Sequence, residues 1–432
     1  MLARIGLTLG CVLLLAVSWL AVLNIESPED KQAALVAYAD MQLETELYEP
    51  ARLYLEQALG YKTKYSFDVQ EKLKRVYLEL DDGQAYADLL ARQIAQDNCA
   101  ESVYEEAVDY YLERGELAEA LSALKKGIAE TGAQELIAIY ERERYACRIN
   151  ASEYDVVTAY MDGYIQVRKD GLWGLADTAG RLVIPCDYGQ ISTVDMSTGR
   201  VAVMKDGKLS VVNAMNRVVA TFDGGSAGVD KIGNFSQGIL PLRLSSGKWI
   251  IVDGNLTPNP AEYEDLGGVS NSAVAMKFSG KWGVFALDGE VVIPAEYDDI
   301  VRDELGRCYA QGAVFAVRDG KARLFADGAD TGISFDDARP FTDDGWAAVK
   351  QNGKWGFVDT AGTFMIEPQF DDALSFSGHL AAVKQGELWG YLALTGKLAI
   401  EPQYLRAKSF AGGNAPVLTD RGWQFISLVE YE

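Results

Sequence analysis

Histidine is almost absent from this sequence, cysteine is sparse, and positive charge is outnumbered. His379 is the one histidine in 432 residues, so no His-rich metal site can form, and beside a glycine it reads as an exposed turn-end residue. The five cysteines, Cys11, Cys99, Cys147, Cys186 and Cys308, contain no C-x-x-C pair. They are too few for a disulfide framework or a zinc site and read as small hydrophobes. Lys and Arg number 40 against 63 Asp and Glu, a formal charge of −23, which excludes a phosphate-backbone partner and hence nucleic acid. G-x-S-x-G, P-loop, H-E-x-x-H and calcium-loop patterns are all missing. The sequence therefore assigns no catalytic, cofactor-binding or metal residue, and predicts no cofactor.

Long apolar runs are missing too, except at the start. Ile5 to Leu23 is free of charge over 19 residues, about 28 Å as a helix, which matches the hydrocarbon thickness of a bilayer. Arg4 precedes the run and Glu26, Glu29 and Asp30 follow it. The positive-inside rule then predicts a single-pass helix with the rest of the chain extracytoplasmic. A cleaved signal peptide is the rival reading of 1–27.

From Pro28 to about residue 149 the composition is helical, rich in Ala, Leu, Glu, Lys and Arg with apolar residues three and four apart. Gly83, Gly115 and Gly132 divide it into helix-length segments. Ala51, Ala87 and Ala120 recur at intervals of 36 and 33 residues. With Gly115, Ala120, Leu124 and Gly127 in the clearest copy, this stretch resembles the second helix of tetratricopeptide repeats. The resemblance implies a stack of helix pairs with a peptide-binding groove; a plain spacer is the alternative. Tyr104, Tyr110 and Tyr111 fit either the groove or the core.

Beyond residue 150 glycine and aromatics rise. Trp-Gly occurs at 173–174, 282–283, 355–356 and 389–390, and Leu209, Trp249, Ala322 and Trp423 stand at the equivalent place in weaker copies, giving intervals of 33 to 40 residues. Asp170-Gly171, Asp206-Gly207, Asp319-Gly320 and Asn352-Gly353 are dipeptides that accept positive φ and close two-residue hairpins. Each clear copy then continues through Ile-Pro or Ile-Glu-Pro to an aromatic: Tyr188, Tyr297, Phe370 or Tyr404. Each unit is thus about three antiparallel strands that cannot bury both faces alone and must stack on its neighbours. With G-K-W-G at 280–283 and 353–356 and Ile293, Pro294, Tyr297 and Asp298 spelling I-P-x-x-Y-D, the array resembles the WG-repeat family of bacterial proteins. That resemblance implies an extracytoplasmic or cell-associated binding and scaffolding role without a catalytic motif.

Counting adds closure. The eighth hairpin, around Trp423, ends the chain before any Ile-Pro strand, whereas Tyr154-Asp155 ends a unit that has no Trp-Gly strand before it. An eight-bladed β-propeller closed by its termini is expected, with an open β-solenoid as the alternative. The fold class predicted is therefore multidomain: a transmembrane anchor or signal at 1–27, all-α TPR-like repeats at 28–149, and the all-β WG-repeat domain at 150–432. The pairs Asp298-Asp299, Asp336-Asp337 and Asp371-Asp372 fit either a carboxylate rim or turn chemistry. The repeated Trp is expected inside, and ligand contacts in the unrepeated interludes 223–237, 253–272 and 301–312. Together these predict a non-enzymatic, membrane-anchored extracytoplasmic binding or scaffold protein. Its partner would be a protein, a peptide or an envelope glycan. An enzyme with its site at the propeller centre and an assembly factor using the helical groove remain as alternatives.

Overall fold

A computed structural model describes residues 27–64, 66–96, 99–222 and 228–429. By internal contacts the chain divides into two units, one ending at Glu143 and the other running from Arg144 onward. The predicted transmembrane stretch Ile5–Leu23 lies outside the described residues, and the single-pass placement drawn from it lies there as well. Among the described residues no helix is long and apolar enough to cross a membrane. The longest, Pro28–Leu43, has 16 residues and carries Glu29, Asp30, Lys31 and Asp40, and each charge would be costly in hydrocarbon. The fold class is corrected accordingly, to seven helices followed by an eight-bladed β-propeller with no membrane-spanning element among the described residues.

The helices are α1 (Pro28–Leu43), α2 (Tyr48–Leu59), α3 (Ser66–Glu79), α4 (Gly83–Ile94), α5 (Glu101–Glu113), α6 (Leu117–Thr131) and α7 (Gln134–Glu143). Short turns lay each against its chain neighbours, and one apolar core runs through the stack. The small residues of the sequence pattern sit where helices approach. Ala51, Ala58 and Ala120 are fully buried, and a methyl group on Gly127 would lie 2.7 Å from Leu136 and 2.8 Å from Tyr104. Helix α4 departs from the pattern by one position, burying Tyr86, Leu89, Leu90 and Gln93 in place of Ala87. Tyr104 and Tyr111 are core residues, and the Tyr110 hydroxyl donates to the Gly83 carbonyl at 2.7 Å.

Among the described residues the second unit contains eight antiparallel sheets, seven of four strands and one of three. In chain order they form blades 1 (156–188), 2 (190–221), 3 (229–252), 4 (265–297), 5 (299–335), 6 (337–370) and 7 (372–404), and blade 8 is made of 406–428 together with Cys147–Ile149. That last strand pairs with the end of the chain, Cys147 opposite Leu428 and Ile149 opposite Ile426. Tyr154 and Trp423 then exchange backbone hydrogen bonds. The ring is closed by its termini, as the complementary ends implied.

Every blade except blade 3 has one strand more than the sequence pattern indicated. In blades 4 to 8 it is a first strand of only two residues, such as Asp299–Ile300 or Asp372–Ala373, following the aromatic of the previous copy. The Trp position falls in the third strand of every blade. Trp249, Trp282, Trp355 and Trp423 are buried, and Trp173 and Trp389 half-buried, so the tryptophans are packing residues. Apolar clusters bridge one blade to the next, for instance Ile293 and Trp282 of blade 4 with Phe325 and Val314 of blade 5.

Candidate functional site

The paired aspartates resolve into two structural jobs. Asp298 pairs with Lys281 at 2.6 Å and accepts the amide of Asp319 at the hairpin turn of the next blade. Asp371 does the same with Lys354 and the Gly386 amide, and Asp336 with Lys321 and the Asn352 amide. In each case the Lys first, and the turn amide with it, holds the carboxyl below the usual carboxylate range. The second aspartates, Asp299, Asp337 and Asp372, accept the amide of the residue that follows. Turn chemistry therefore accounts for these pairs. Among the described residues no three His, Cys, Asp or Glu side chains are grouped to hold a metal ion.

The interlude 301–312 does something no other copy does. Asp303 caps its own turn, its carboxylate accepting the amides of Leu305 and Arg307. The tip then leaves blade 5 and reaches three others. The Leu305 carbonyl accepts from Asn234 of blade 3 at 2.7 Å, the Gly306 carbonyl from the Gly268 amide of blade 4 at 2.9 Å, and Glu304 pairs with Lys408 of blade 8 at 2.6 Å. Blade 8 stands three places round the ring from blade 5, and a segment that reaches it as well as blades 3 and 4 runs over the axis, so this loop plugs the central channel. Leu305, at the tip, is buried.

The plug separates two cavities. One, of about 740 Å³, is lined by blades 1 to 6 and includes Trp173, Trp249, Lys231, Arg302 and Arg339. Its cations are already engaged: Arg302 lies 3.8 Å over the Trp282 ring and pairs with Asp299, and Arg339 lies 4.7 Å over Trp355 and pairs with Asp372. The other, of about 720 Å³, is lined by all eight blades, from Asp162 and Gly163 of blade 1 to Phe410 and Gly412 of blade 8. Only the axial mouth of a closed ring can touch every blade. It lies at the loops joining first and second strands.

Those loops tie the rim together from seam to seam. Gly238 donates to Asp195, Ser272 to Gln237, Asn271 to the Tyr309 carbonyl, Gln311 to the Asp343 carbonyl, the His379 amide to Asp344, and Ser377 to the Phe410 carbonyl. Such a rim is preorganised, because little of it must be ordered when a ligand arrives. Its acidic residues are Asp162, Asp303, Asp343 and Asp344 against the one arginine, Arg307, and Arg307 is paired with Asp303 at 2.7 Å. The Asp162 residue is exposed as a whole, yet enclosure of its carboxyl raises its pKa, with Arg307 opposing and Asp195 and Asp343 adding to the shift. At Asp195, burial opposes ionisation, but hydrogen bonds from Thr198, Gly238 and Ser197 keep the carboxyl below its ordinary value.

His379 is where the sequence put it, at positive φ in a two-residue turn and exposed. The interludes are not on one face: 301–307 is on the axis, whereas 257–263 runs along the outer edge of blade 3. The sequence reading missed a repeated aromatic one to two residues before the rim turn, Phe235, Phe341, Phe376 and Phe410, all buried. Phe376 packs on Phe357 and Phe410 on Tyr391. The recurring SFSG and SFAG at 375–378 and 409–412 carry that signal.

The model of the WG containing repeat matches residues 173–208, 282–304, 333–355, 355–389 and 389–423. No curated protein matches. Among solved structures the chain is similar to BamB from Moraxella catarrhalis, with TM-score 0.44 and 12% identity over 65% of this chain and 99% of that one. PorZ of Porphyromonas gingivalis gives 0.35 and 11% over 62% and 42%, and Kluyveromyces lactis Hsv2 gives 0.38 and 12% over 62% and 96%.

Proposed function

Given that this chain is a WG-repeat protein, we propose that it is a non-enzymatic binding and scaffold protein. Its axial mouth receives basic side chains of a protein or peptide partner. The observation that carries this reading is the mouth itself, a cup walled by all eight blades, floored by the plug and lined by more carboxylates than cations. Carboxylates at a constricted opening between low-dielectric walls focus the field and draw cations in. The overall charge of −23 acts in the same direction at long range. The 740 Å³ cavity on the other side of the plug is a weaker candidate, since its arginines Arg302 and Arg339 are stacked on tryptophans and paired.

The test is titration of the whole protein with a fluorescein-labelled tetra-lysine peptide, beside Asp162→Asn/Asp343→Asn. Binding that falls several-fold in the double variant and vanishes on raising salt supports the reading. Equal binding by both proteins, or none by either, removes it.

A further inference from the structure

Blade 3 breaks the repeat at one point, and the consequence is an open groove. In blades 1, 4, 6 and 7 the isoleucine four residues before the closing aromatic is buried: Ile184, Ile293, Ile366 and Ile400. Each shares an apolar cluster with the residue three beyond the Trp position of the following blade, namely Val212, Phe325, Leu392 and Ile426. In blade 5, where Thr331 stands at this place, Ile333 joins the cluster that contains Val358. In blade 3 the residue four before Tyr263 is Asn259, and it is exposed. Pro258 precedes it, and 253–263 forms two isolated bridges to the third strand in place of a fourth strand.

The partner position in blade 4 is accordingly uncovered. Phe285 is the only one of the eight equivalent residues that is not buried; Ala176, Val212, Val252, Phe325, Val358, Leu392 and Ile426 all are. Around it lies a cleft of about 650 Å³, lined by Ile251, Pro258, Tyr263, Met276, Phe278 and Leu287 among others. Its aromatics form a row, Tyr263 to Phe278 at 6.1 Å and Phe278 to Phe285 at 5.3 Å, and Phe278 and Leu287 are exposed. An apolar recess on an acidic protein is costly to leave in water.

We propose that this groove between blades 3 and 4 is a second docking site, taking an extended segment of a partner protein. An aliphatic side chain of that segment occupies the place of the missing isoleucine, and basic residues flank it. The anchor follows from the lost Ile. The flanks follow from the rim: Asp253, whose carboxyl is held below its usual range by the Thr257 amide, lines one side. Asp288 and Glu290 stand exposed around the lining Leu287 and Gly289 on the other. The nearby lysines are spoken for, Lys277 over the Trp282 ring and Lys281 on Asp298.

The experiment selects a displayed library of random dodecapeptides on the whole protein, then measures the enriched peptide by fluorescence anisotropy. Three proteins are compared: the parent, Phe278→Ser/Leu287→Asp, and Asn259→Ile, which restores the repeat's own residue. Enriched peptides with an aliphatic anchor between Lys or Arg, bound at least tenfold more weakly by both variants, support the proposal. Melting curves guard against misfolding, because Asn259→Ile should melt no lower than the parent while still losing the peptide. No enrichment, peptides without this pattern, or equal affinity for all three proteins overturns it. A parent dimer in sedimentation that Phe278→Ser/Leu287→Asp turns into monomer also overturns it, in favour of a second copy of the chain.

Discussion

The glycine of each Trp-Gly pair has a single cause. A methyl group on Gly356 would lie 2.6 Å from the Ile366 carbonyl oxygen and 2.7 Å from the Pro368 nitrogen. Gly174, Gly283 and Gly390 meet the same strand in their own blades at 2.4 to 2.6 Å. There the fourth strand bulges over the third, and the register slips between Trp355 and Phe357. Blades without the Ile-Pro bulge carry Ser210, Ile250, Arg323 or Gln424 at that place, so glycine and proline come and go together. Gly356→Ala should destabilise the propeller by about 2–3 kcal/mol, the cost of overpacking against backbone that cannot yield, whereas Ser210→Gly should cost about 1 kcal/mol or less. Denaturant titration of both variants checks this, and similar losses would show that the bulge is not the reason. The aspartates carry a second prediction at this scale. Asp298, Asp336 and Asp371 have folded pKa values below the ordinary value. Their stabilisation is therefore present above the unfolded pKa of about 3.9 and is lost as pH falls through the folded value. A triple Asp→Asn variant should melt below the parent at pH 7, and the two melting curves should converge only as the pH falls below about 4. Parallel curves would mean that the Lys pairs contribute nothing.

Among the elements, the hairpins were legible because two signals coincide in them: dipeptides that adopt positive φ, as Asn352 and Gly353 do at 51° and 83°, and a Trp at a fixed distance beyond. The two-residue first strands were not legible. Asp337-Ala338 has no periodicity to read, and its aspartate looks like a turn because it does accept the next amide. Helix α4 stands one residue out of phase with the repeat already in the sequence, and the burial of Tyr86 in place of Ala87 is the reason: small residues mark close approach only where two helices touch. The ring closure was legible only as a deficit at one end and a surplus at the other, and the closing strand, Cys147–Ile149, lies just before the Tyr154-Asp155 pair that marked the surplus. Arg148 sits opposite Ser427, between the Asn150 to Phe425 and Val429 to Ala146 hydrogen bonds. Arg148→Pro removes a ladder donor from the strand that closes the ring, and the lost hydrogen bond costs about 1 kcal/mol or more. Amide exchange across 423–428 should rise before that of blades 3 to 6. Uniform acceleration in all blades would instead mean that the ring opens as a unit.

For the molecule as a whole, the sequence could point to 301–312 as an unrepeated interlude but not to its destination, because a path across the axis exists only once eight blades have closed around it. The plug is held by unequal ties. Glu304 and Lys408 are both partly exposed, so Glu304→Ala should cost about 1 kcal/mol or less. The contact with Gly268 is different: a methyl group there would lie 2.3 Å from the Leu305 carbonyl oxygen, backbone against backbone. Gly268→Ala should therefore push the tip off the axis and join the two cavities, leaving Asp162, Asp343 and Asp344 of the mouth in place. If the plug is the floor of the binding cup, this variant weakens the tetra-lysine peptide several-fold and speeds amide exchange at 304–307, while Glu304→Ala changes exchange alone. If Gly268→Ala frees the loop and leaves peptide affinity unchanged, the ligand is held by the rim and the floor has no part in binding.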